Sequence, residues 1–461
     1  MGTLVTPSGI VVTEALARAR VAAAGWAALP IAPRLAVIAR ARRLIGERAT
    51  GMAELVARPV ADTLVAEVLP LAAGAAWLVR HAGRVLRARV ARGRRPVWLA
   101  GVRSVVVREP AGVVLVLGPG NYPLFLPGVQ VLQALAAGNA VCVKPAPGGG
   151  AAMRAFVGLL EEAGLPAGVL QVLGESVELG REAARAAFDK VVLTGSAETG
   201  RAVLAACAEG LRPAVVELSG NDAVFVLPGA DLGLVAACLA YGLRLNGGAT
   251  CIAPRRVFVR REAAAALEAG LMGHLAGMAG TPMTERLAGL VAAAVSEGAR
   301  LVRDGPVVLA EARPGMGLLQ EDVFAPWVAI VPVGDVEEAL AANAVCPYAL
   351  GASVFGPEAA AWALARRVRA GSVCVNDLIV PTADPRLPFG GRGRSGFGAT
   401  RGAEGLLEMT VVKAISARRG RFRPHLEAPR EGDAARFAAL VAVLHGGWRG
   451  RAAAVGRLVR R

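Results

Sequence analysis

Two residues near the middle of the chain could do chemistry. Cys251 stands in the segment Leu245–Ala253, shortly after a pair of glycines. Glu217 ends an apolar run, where burying a carboxylate costs free energy unless it has a partner or a task. A cysteine thiolate is a nucleophile, and a carboxylate can act as a general base. Taken singly, Cys251 also fits a small buried residue and Glu217 a salt bridge.

Two loops add polar groups after predicted strands. Asn121 follows an uncharged strand, and its amide could cap a helix or bind an oxyanion. The turn Gly195–Gly200 follows a strand and opens a helix, so its free N–H groups could hold a phosphate. Such strand–glycine–helix turns are common, so each loop alone leaves both a structural and a functional interpretation open.

Alternating strands and helices are predicted to position these residues. Five apolar strands, four of them each followed by a helix, lie between residues 112 and 218, which indicates a parallel sheet with helices on both faces. A second α/β portion follows, with predicted strands at 256–260, 327–333, 352–355 and 372–375. Two short β-rich runs, Val97–Ala100 and Ser104–Arg108, stand on either side of Gly101 and predict a hairpin.

The combination of segments resembles the aldehyde dehydrogenase superfamily over roughly residues 14–417. Cys251 follows Glu217 by 34 residues, which is the spacing of that family. The segments that carry the resemblance, in order, are Gly120–Leu124, Gly138–Pro145, Leu193–Ser196, Glu217–Gly220, the Cys251 segment, Glu321–Pro326, Gly371–Asn376 and Pro388–Gly396. Each is weak alone, but eight in order are specific.

The resemblance implies an oxidoreductase that converts an aldehyde to a carboxylic acid. Cys251 would attack the aldehyde as a thiolate, and hydride transfer to the nicotinamide would leave a thioester. The Asn121 amide and the Cys251 N–H would hold the oxyanion of the thiohemiacetal. Glu217 would activate the water that releases the acid.

The resemblance also implies that the cofactor is NAD or NADP. Lys144 would bind the adenine-side ribose, Gly195 and Ser196 the diphosphate, Asp322 the nicotinamide ribose, and Phe324 would pack near the nicotinamide. Many NAD-preferring members carry an acid three residues after this lysine, where this chain has Pro147. Because that carboxylate would repel a 2′-phosphate, its absence predicts that NADP is tolerated.

Two positions depart from the family pattern. Ala249 replaces a glutamine, and Arg244 replaces an aromatic or aliphatic residue. These changes leave a catalytically inactive cofactor-binding member as an alternative. A CoA-acylating enzyme is another, although Glu217 argues against it. The walls of the substrate tunnel are predicted from Arg244 and from four further residues: Tyr122, Thr250, Ile252 and Phe389.

The predicted fold is α/β, with two doubly wound parallel-sheet domains and a small oligomerisation β-hairpin. The dinucleotide-binding domain is predicted over 1–95 and 109–218, the oligomerisation arm over 96–108 and 409–418, the catalytic domain over 219–408 and a basic extension over 419–461. The arm implies a homodimer or homotetramer, because the family uses this element for subunit pairing.

The charge of the chain is concentrated in two stretches. The net charge is +16, with 49 arginines and three lysines. Residues 80–108 and 413–461 carry +9 each, so the remainder sums to −2. No basic motif interleaved with aromatic residues supports nucleic-acid binding. Apolar residues at helical spacing (Phe437, Leu440, Val441, Leu444 and Trp448) could contact an anionic membrane. We expect instead a solvated or subunit-docked tail.

Cysteine usage and the N-terminus favour a cytoplasmic protein. The six cysteines form no Cys-x-x-Cys pair and there are only four histidines, so we expect neither a disulfide framework nor a metal site. The N-terminus lacks a basic region followed by an apolar run, as a secretory signal would have. The charge-free stretch 111–143 is broken by Gly and Pro, which predicts a strand, a loop and a buried helix rather than a membrane span.

Overall fold

Prolines shape the helices of the first part of the chain. The computed structural model describes residues 11–93, 96–421 and 423–459. The first helices are α1 (Val12–Ala28), α2 (Ile31–Glu47), α3 (Ala49–Glu54), α4 (Val60–Thr63) and α5 (Leu69–Val85). Pro30 and Pro59 precede α2 and α4, as expected for a residue that begins a helix well and continues one poorly.

A wide helical turn joins α4 to α5. Residues Leu64–Val68 form a π-helix, and the helix then continues through Pro70. Proline lacks the N–H that an α-helix needs, and a locally wider turn accommodates this without breaking the helix. The combined helix Val60–Val85 is long and apolar enough to cross a bilayer by those two criteria, and here it packs against α2 and against a further core helix, Phe125–Ala137.

A hairpin forms in the predicted region, but the prediction of its first strand is wrong. Strand β1 (Arg89–Val90) pairs antiparallel with β2 (Val102–Pro110), and Arg89 lies opposite Val106. The run that was predicted as the first strand is a single 3₁₀ turn over Val97–Leu99. A strand needs a neighbour with which to share backbone hydrogen bonds, and β2 uses the earlier segment for this purpose.

The first sheet is parallel, as predicted. Its strands and helices are β3 (Val113–Leu117), α6 (Phe125–Ala137), β4 (Ala140–Lys144), α7 (Gly150–Glu162), β5 (Leu170–Val172), α8 (Val177–Arg185), β6 (Lys190–Gly195), α9 (Ala197–Glu209) and β7 (Ala214–Leu218). The strand order is β7-β6-β3-β4-β5. On β3, Val114 and Val116 pack in one core cluster, and Val113 and Leu115 in another, so helices cover both faces. The stretch 111–143 is thus a strand, a loop and a buried helix, which confirms the prediction.

The second sheet begins four residues after the first ends. Its strands and helices, with short neighbouring ones, are β8 (Asp222–Val226), α10 (Leu232–Arg244), β9 (Pro254–Arg260), α11 (Arg261–Leu275), α12 (Glu285–Ser296), β10 (Arg300–Asp304), β11 (Val307–Ala310), β12 (Trp327–Val333), α13 (Val336–Val345), β13 (Tyr348–Ala349), β14 (Gly351–Phe355), α14 (Glu358–Ala365), β15 (Ser372–Val375), β16 (Arg392–Gly393), β17 (Gly396–Phe397) and α15 (Gly402–Glu408). The order is β10-β11-β12-β9-β8-β14-β15, parallel except between β10 and β11.

One short strand connects this second portion to the first sheet. Strand β17 pairs antiparallel with β7, which places Gly396 opposite Glu217. The four predicted strands of the second sheet are confirmed, whereas β8, β10 and β11 had not been predicted. The two sheets lie in one compact unit, which runs up to Ala88 and over Val107–Lys413. The predicted division of that unit into two domains stays a prediction.

The remaining residues, Arg89–Val106 and those from Ala414 on, form a second unit. Strand β18 (Thr410–Arg418) enters this unit and gives a sheet with the order β1-β2-β18. Helices α16 (Asp433–His445) and α17 (Trp448–Val459) follow. The prediction that Phe437 and Trp448 lie on the same helix is wrong. Helix α16 ends at His445, and Trp448 begins α17. Phe437, Val441 and Trp448 are exposed in this chain.

Candidate active site

A cavity lies where the strands of the first sheet end. Ligands of open α/β sheets bind at this edge, because the loops that follow the strands converge there. The cavity has a volume of about 210 Å³. It brings together six of the eight predicted site residues: Asn121, Gly195, Ser196, Glu217, Cys251 and Phe324. The two others, Lys144 and Asp322, lie outside its lining.

Cys251 and Glu217 face each other in this cavity. The Cys251 thiol points at Oε1 of Glu217, with 4.0 Å between sulfur and oxygen. Burial raises the pKa of Glu217 to about 7, and the nearby Arg401 and the Thr194 and Thr400 hydroxyls oppose the rise. Burial, and then the charge of Glu217, raise the pKa of the Cys251 thiol well above its usual range. Both groups therefore resist ionisation, Cys251 more strongly than Glu217.

The loop before Cys251 turns sharply through three residues with positive φ. These are Asn246, Gly247 and Gly248, at 51°, 58° and 73°. A Cβ on Gly248 would lie 2.6 Å from the carbonyl oxygen of Ala325, so only glycine fits there. The buried Arg255 also donates a hydrogen bond to the Gly248 carbonyl. The glycine pair thus serves the turn and its packing.

Asn121 is held by hydrogen bonds on both sides. Its side-chain amide donates to the carbonyl of Ala249 at 3.0 Å, and so does the amide of Asn246 at 3.1 Å. The backbone carbonyl of Asn121 accepts from Asn246 at 3.0 Å and from Arg58 at 2.8 Å. The predicted oxyanion donor therefore points towards the backbone of the Cys251 loop. Hydrogen bonds to Ala249 and from Asn246 and Arg58 thus fix the position of Asn121 at the cavity.

A buried ion pair supports the Asn121 loop from below. Arg58 Nη2 lies 2.7 Å from Oε1 of Glu67, whose side chain is fully buried in the π-helical turn. Oε2 of Glu67 accepts the N–H groups of Leu124 and Phe125 at 2.7 and 3.0 Å, so that the carboxylate caps α6. π-helical turns are frequent at functional sites. Here the wider turn carries the carboxylate that anchors the loop.

Lys144 ends β4 and points along the edge of the sheet. Its ammonium donates to the backbone carbonyl of Glu175 at 2.8 Å. The Glu175 carboxylate accepts the Gly148 N–H at 2.7 Å and lies 3.7 Å from Arg154. Pro147 is exposed at the same loop. A carboxylate is therefore present beside the predicted ribose site after all, and it comes from the loop after β5.

Ser196 caps the helix that the sequence assigned to the diphosphate. Its hydroxyl accepts the Thr199 N–H at 3.1 Å and lies 3.0 Å from the Thr199 hydroxyl. The first N–H groups of an α-helix have no partner within it, and those of α9 open at the cavity beside Gly195. The turn fits an anion through its backbone, while the serine hydroxyl serves the helix itself.

Comparisons with known proteins agree with this site. Residues 9–415 match the profile of the aldehyde dehydrogenase family. The chain belongs to the aldehyde dehydrogenase family. It is 31% identical over 438 residues to a 4,4′-diapolycopene aldehyde oxidase from Methylomonas sp, which covers 89% of this chain and 82% of that protein.

Two solved structures show the same fold as this family member. A Mycobacterium tuberculosis aldehyde dehydrogenase complexed with NAD⁺ has a TM-score of 0.82 and 27% identity, over 89% of this chain and 91% of the other. An NADP-dependent glyceraldehyde-3-phosphate dehydrogenase from Bacillus halodurans C-125 complexed with NADP has a TM-score of 0.81 and 28% identity, over 88% and 91%. The chain is an NAD(P)-dependent oxidoreductase of aldehydes, as the sequence predicted.

The two residues that the sequence predicts on the nicotinamide side, Asp322 and Phe324, lie at or beside the cavity. Phe324 is 41% exposed and lines it. Burial raises the pKa of Asp322, which the Ser219 hydroxyl and the charge of Arg255 oppose. Ser219 lines the cavity, so Asp322 is connected to it through one hydroxyl. A ribose hydroxyl that reached Asp322 would have to compete with this serine.

Ala249 and Arg244, the two departures from the family pattern, have different surroundings. Ala249 takes part through its backbone carbonyl, which accepts the two amides described above. Arg244 is exposed in the last turn of α10. Its charge lowers the pKa of Tyr241, whereas burial and the charges of Asp377 and Asp62 raise it. Acidic residues therefore share the surroundings of Arg244.

Four of the predicted tunnel residues surround Cys251. The hydroxyls of Tyr122 and Thr250 lie 2.8 Å apart. Ile252 and Phe389 form an apolar cluster with Leu350, and Cys251 and Ile379 pack against that cluster. The side of Cys251 that faces these residues is therefore mostly apolar.

Sequence reasoning missed the residues that fix the site from a distance. These are Arg58, Glu67, Asn246, Arg255 and Arg401. Only a weak signal could have found them: Glu67 is a lone acid in an apolar helical run, and Asn246 stands directly before the glycine pair. Arg58, Arg255 and Arg401 stand outside every motif that the sequence offered.

Proposed function

We propose that Cys251 is the nucleophile and Glu217 the base of this aldehyde dehydrogenase. The observation that carries this assignment is the 4.0 Å approach of the Cys251 sulfur to the Glu217 carboxylate inside the cavity. In the first step, the thiol proton moves to Glu217 and the sulfur attacks the aldehyde carbon, giving a thiohemiacetal. The Asn121 amide turns from the Ala249 carbonyl to the developing oxyanion, together with the Cys251 N–H.

Glu217 also activates water in the second half of the reaction. After oxidation, the substrate is a thioester on Cys251. Glu217 first releases the thiol proton to solvent; it then takes a proton from a water molecule that adds to the thioester carbon, and the sulfur leaves as a thiolate while the acid forms. A carboxylate with a pKa of about 7 suits both tasks, because a base works best when its pKa lies near the working pH.

The described residues fit NAD or NADP along the edge of the first sheet. Bound NAD or NADP supplies the hydride acceptor. We propose that the N–H groups at Gly195 and Ser196 bind the diphosphate, that Lys144 binds the adenine-side ribose, that Asp322 binds the other ribose and that Phe324 packs on the nicotinamide. The cavity in front of Gly195 supports this, because no side chain fills it. Tolerance of NADP stays a prediction, since Glu175 places a carboxylate near Lys144.

An apolar aldehyde is the proposed substrate class. The apolar cluster around Cys251 supports it, and the relative named above acts on a carotenoid-type aldehyde according to its name. An anionic substrate is less well matched, since the charges of Asp377 and Asp62 act on the same tyrosine as Arg244.

An oligomer is proposed from the arm. Val411, Val412 and Ile415 of β18 are exposed in the single chain, and pairing of arms would bury them. Which of the two assemblies forms, a dimer or a tetramer, stays a prediction. The cytoplasmic location and the domain bounds also stay predictions. Light scattering of the purified protein tests the assembly.

The assay that tests the proposal follows NAD(P)H formation with a panel of aldehydes. Apolar aromatic and long-chain aldehydes are expected to give NAD(P)H, and Cys251→Ala to give none. Glu162→Ala, at an exposed position outside the site, is the matched control and should keep the wild-type rate. Formation of an acyl-CoA ester in place of the acid, when CoA is added, would favour the acylating alternative. Absence of NAD(P)H with every aldehyde would favour the inactive one.

A further inference from the structure

Arg401 has an unusual backbone conformation beside the site. It stands directly before α15, with φ 62° and ψ 174°. This region is populated almost only by glycine, and a residue with a side chain there costs roughly 1–3 kcal/mol. Its N–H donates to Oε1 of the buried Gln133 at 3.2 Å, which helps to hold the strained turn. Strain of this kind persists where the surrounding structure fixes it, and it is common at functional sites.

The side chain of Arg401 is a buried cation. The residue is 5% exposed, and the guanidinium carbon lies 4.3 Å from the ring centre of Phe389 and 5.6 Å from that of Phe125. One nitrogen donates to the Thr382 carbonyl, while Nε has no acceptor among the described residues. Burying a charge is costly without a compensating charge. Aromatic faces and one carbonyl offset part of this cost, and negative charge nearby must supply the rest.

The two acids that act on this cation are Glu217 and Cys251. The pairing of Gly396 with Glu217 brings the turn that follows β17 over the carboxylate. The neighbouring Thr400 hydroxyl donates to the Phe389 carbonyl at 3.2 Å and, from beside the carboxylate, lowers the pKa of Glu217. The electrostatic partners of the Arg401 guanidinium are Glu217 and Cys251. Its field therefore acts on both reacting groups at once.

The other charges around the pair do not replace Arg401. Cys251 faces the acids Glu217 and Asp222, which both disfavour its thiolate, and Arg401 as the opposing cation. Asp222 has its own cations, the buried Arg255 and Arg256. Arg401 is also the charged group that lowers the pKa of Glu217 against burial.

We propose that Arg401 is a positioning residue that holds the single negative charge shared by Cys251 and Glu217. This inference rests on the proposed function of those two residues. With the cation present, the proton can pass from the sulfur to the carboxylate while the net charge of the pair stays at minus one. Without it, burial would leave both groups protonated over more of the neutral pH range. The strained turn is retained because it aims the guanidinium at the pair.

The test is the pH dependence of Cys251 alkylation by iodoacetamide, followed by peptide mass spectrometry without aldehyde or cofactor. Alkylation forms a thioether and releases iodide, and it requires the thiolate. Arg401→Met is expected to shift the midpoint up by about one pH unit or more, which is about a tenfold slower reaction at a fixed neutral pH. Arg401→Lys keeps a cation and should remain close to the wild type.

Two controls separate charge from packing. Arg34→Met removes another buried arginine whose Nε also lacks an acceptor, in α2, and should leave the alkylation profile unchanged. Arg401→Gly removes the charge while relieving the backbone, so it is expected to fold even if Arg401→Met does not, and to show the same upward shift. A wild-type profile in a folded Arg401→Met or Arg401→Gly variant would overturn the proposal. Because the readout needs no turnover, a failure to form NAD(P)H is a separate result.

Discussion

Two groups of charged residues at the edge of the first sheet hold their charges in opposite ways. The catalytic cluster, Glu217 with Cys251 and Arg401, is buried, and Glu217 is only 1% exposed. In the ribose cluster, Lys144 with Glu175 and Arg154, the side chains of Glu175 and Arg154 are 31% and 53% exposed. Burial in the first cluster moves pKa values and couples the groups. In the second, water screens the ion pair. Substitutions in the catalytic cluster should therefore have the larger effects.

The largest effect is expected for Glu217→Gln. Loss of the base should slow steady-state NAD(P)H formation by about 10²–10⁴-fold, since general base catalysis contributes that much. Glu175→Gln, the corresponding change in the ribose cluster, should alter the maximal rate little. Steady-state rates at saturating cofactor make the comparison. Equal losses in the two variants would break the distinction between the clusters.

The buried support of the Asn121 loop should come next. Glu67→Ala leaves Arg58 buried without its partner and removes the cap of α6, so it should lower the free energy of unfolding by about 3–5 kcal/mol. The exposed pair Arg48–Glu162 provides the control, because Glu162→Ala should cost at most about 1 kcal/mol. Urea unfolding measures both. A Glu67→Ala variant as stable as Glu162→Ala would show that burial of an ion pair does not determine how much its loss lowers the free energy of unfolding.

The pH dependence of stability should carry the signature of Glu217. Its folded-state pKa of about 7 lies above the usual value of 4.5, so the native protein binds the proton more tightly than the unfolded chain does. Stability then falls as the pH rises from about 4.5 to 7, by about 3 kcal/mol for this group alone. Glu217→Gln should remove that fall. The test measures the unfolding free energy of Glu217→Gln and of the wild type at pH 5 and pH 8. The same difference between the two pH values in both proteins would show that Glu217 does not cause the fall.

The smallest effect is expected in the ribose cluster. Glu175→Gln removes a carboxylate near Lys144 and Arg154, so the affinity for NADPH should rise a few-fold while that for NADH changes little, since a half-exposed charge is worth about 1 kcal/mol or less. Fluorescence titration of the two reduced cofactors measures this. A gain for NADH equal to that for NADPH would mean that Glu175 does not discriminate the 2′-phosphate.

The sequence motifs predicted much of the cavity because three of its residues follow strands of the same sheet. Asn121, Gly195 and Glu217 come after or at the ends of β3, β6 and β7, so their meeting follows from the alternation of strands and helices. Arg58 and Arg401 could not be predicted in this way. They reach the site from segments far away in the chain, and only the packing of those segments brings them there.

Local patterns also misled where a neighbouring element decided the outcome. The apolar run Val97–Ala100 looks like a strand, but β2 pairs with Arg89–Val90 instead. Pro147 suggested that no acid stands near Lys144, whereas Glu175 arrives from the loop after β5. In both cases the residue types were read correctly and the partner was supplied by another part of the chain.

The central claim is that the aldehyde is oxidised while bound to Cys251 and released by Glu217. The most direct measurement is the intact mass of Glu217→Gln after mixing with benzaldehyde and NAD, followed by peptide mapping. We predict an added acyl group on Cys251, because without the base the thioester forms more slowly, from thiolate that loses its proton to solvent, and is hydrolysed more slowly still. Formation of NADH with no acyl group on Cys251, or with one on another residue, would contradict the account.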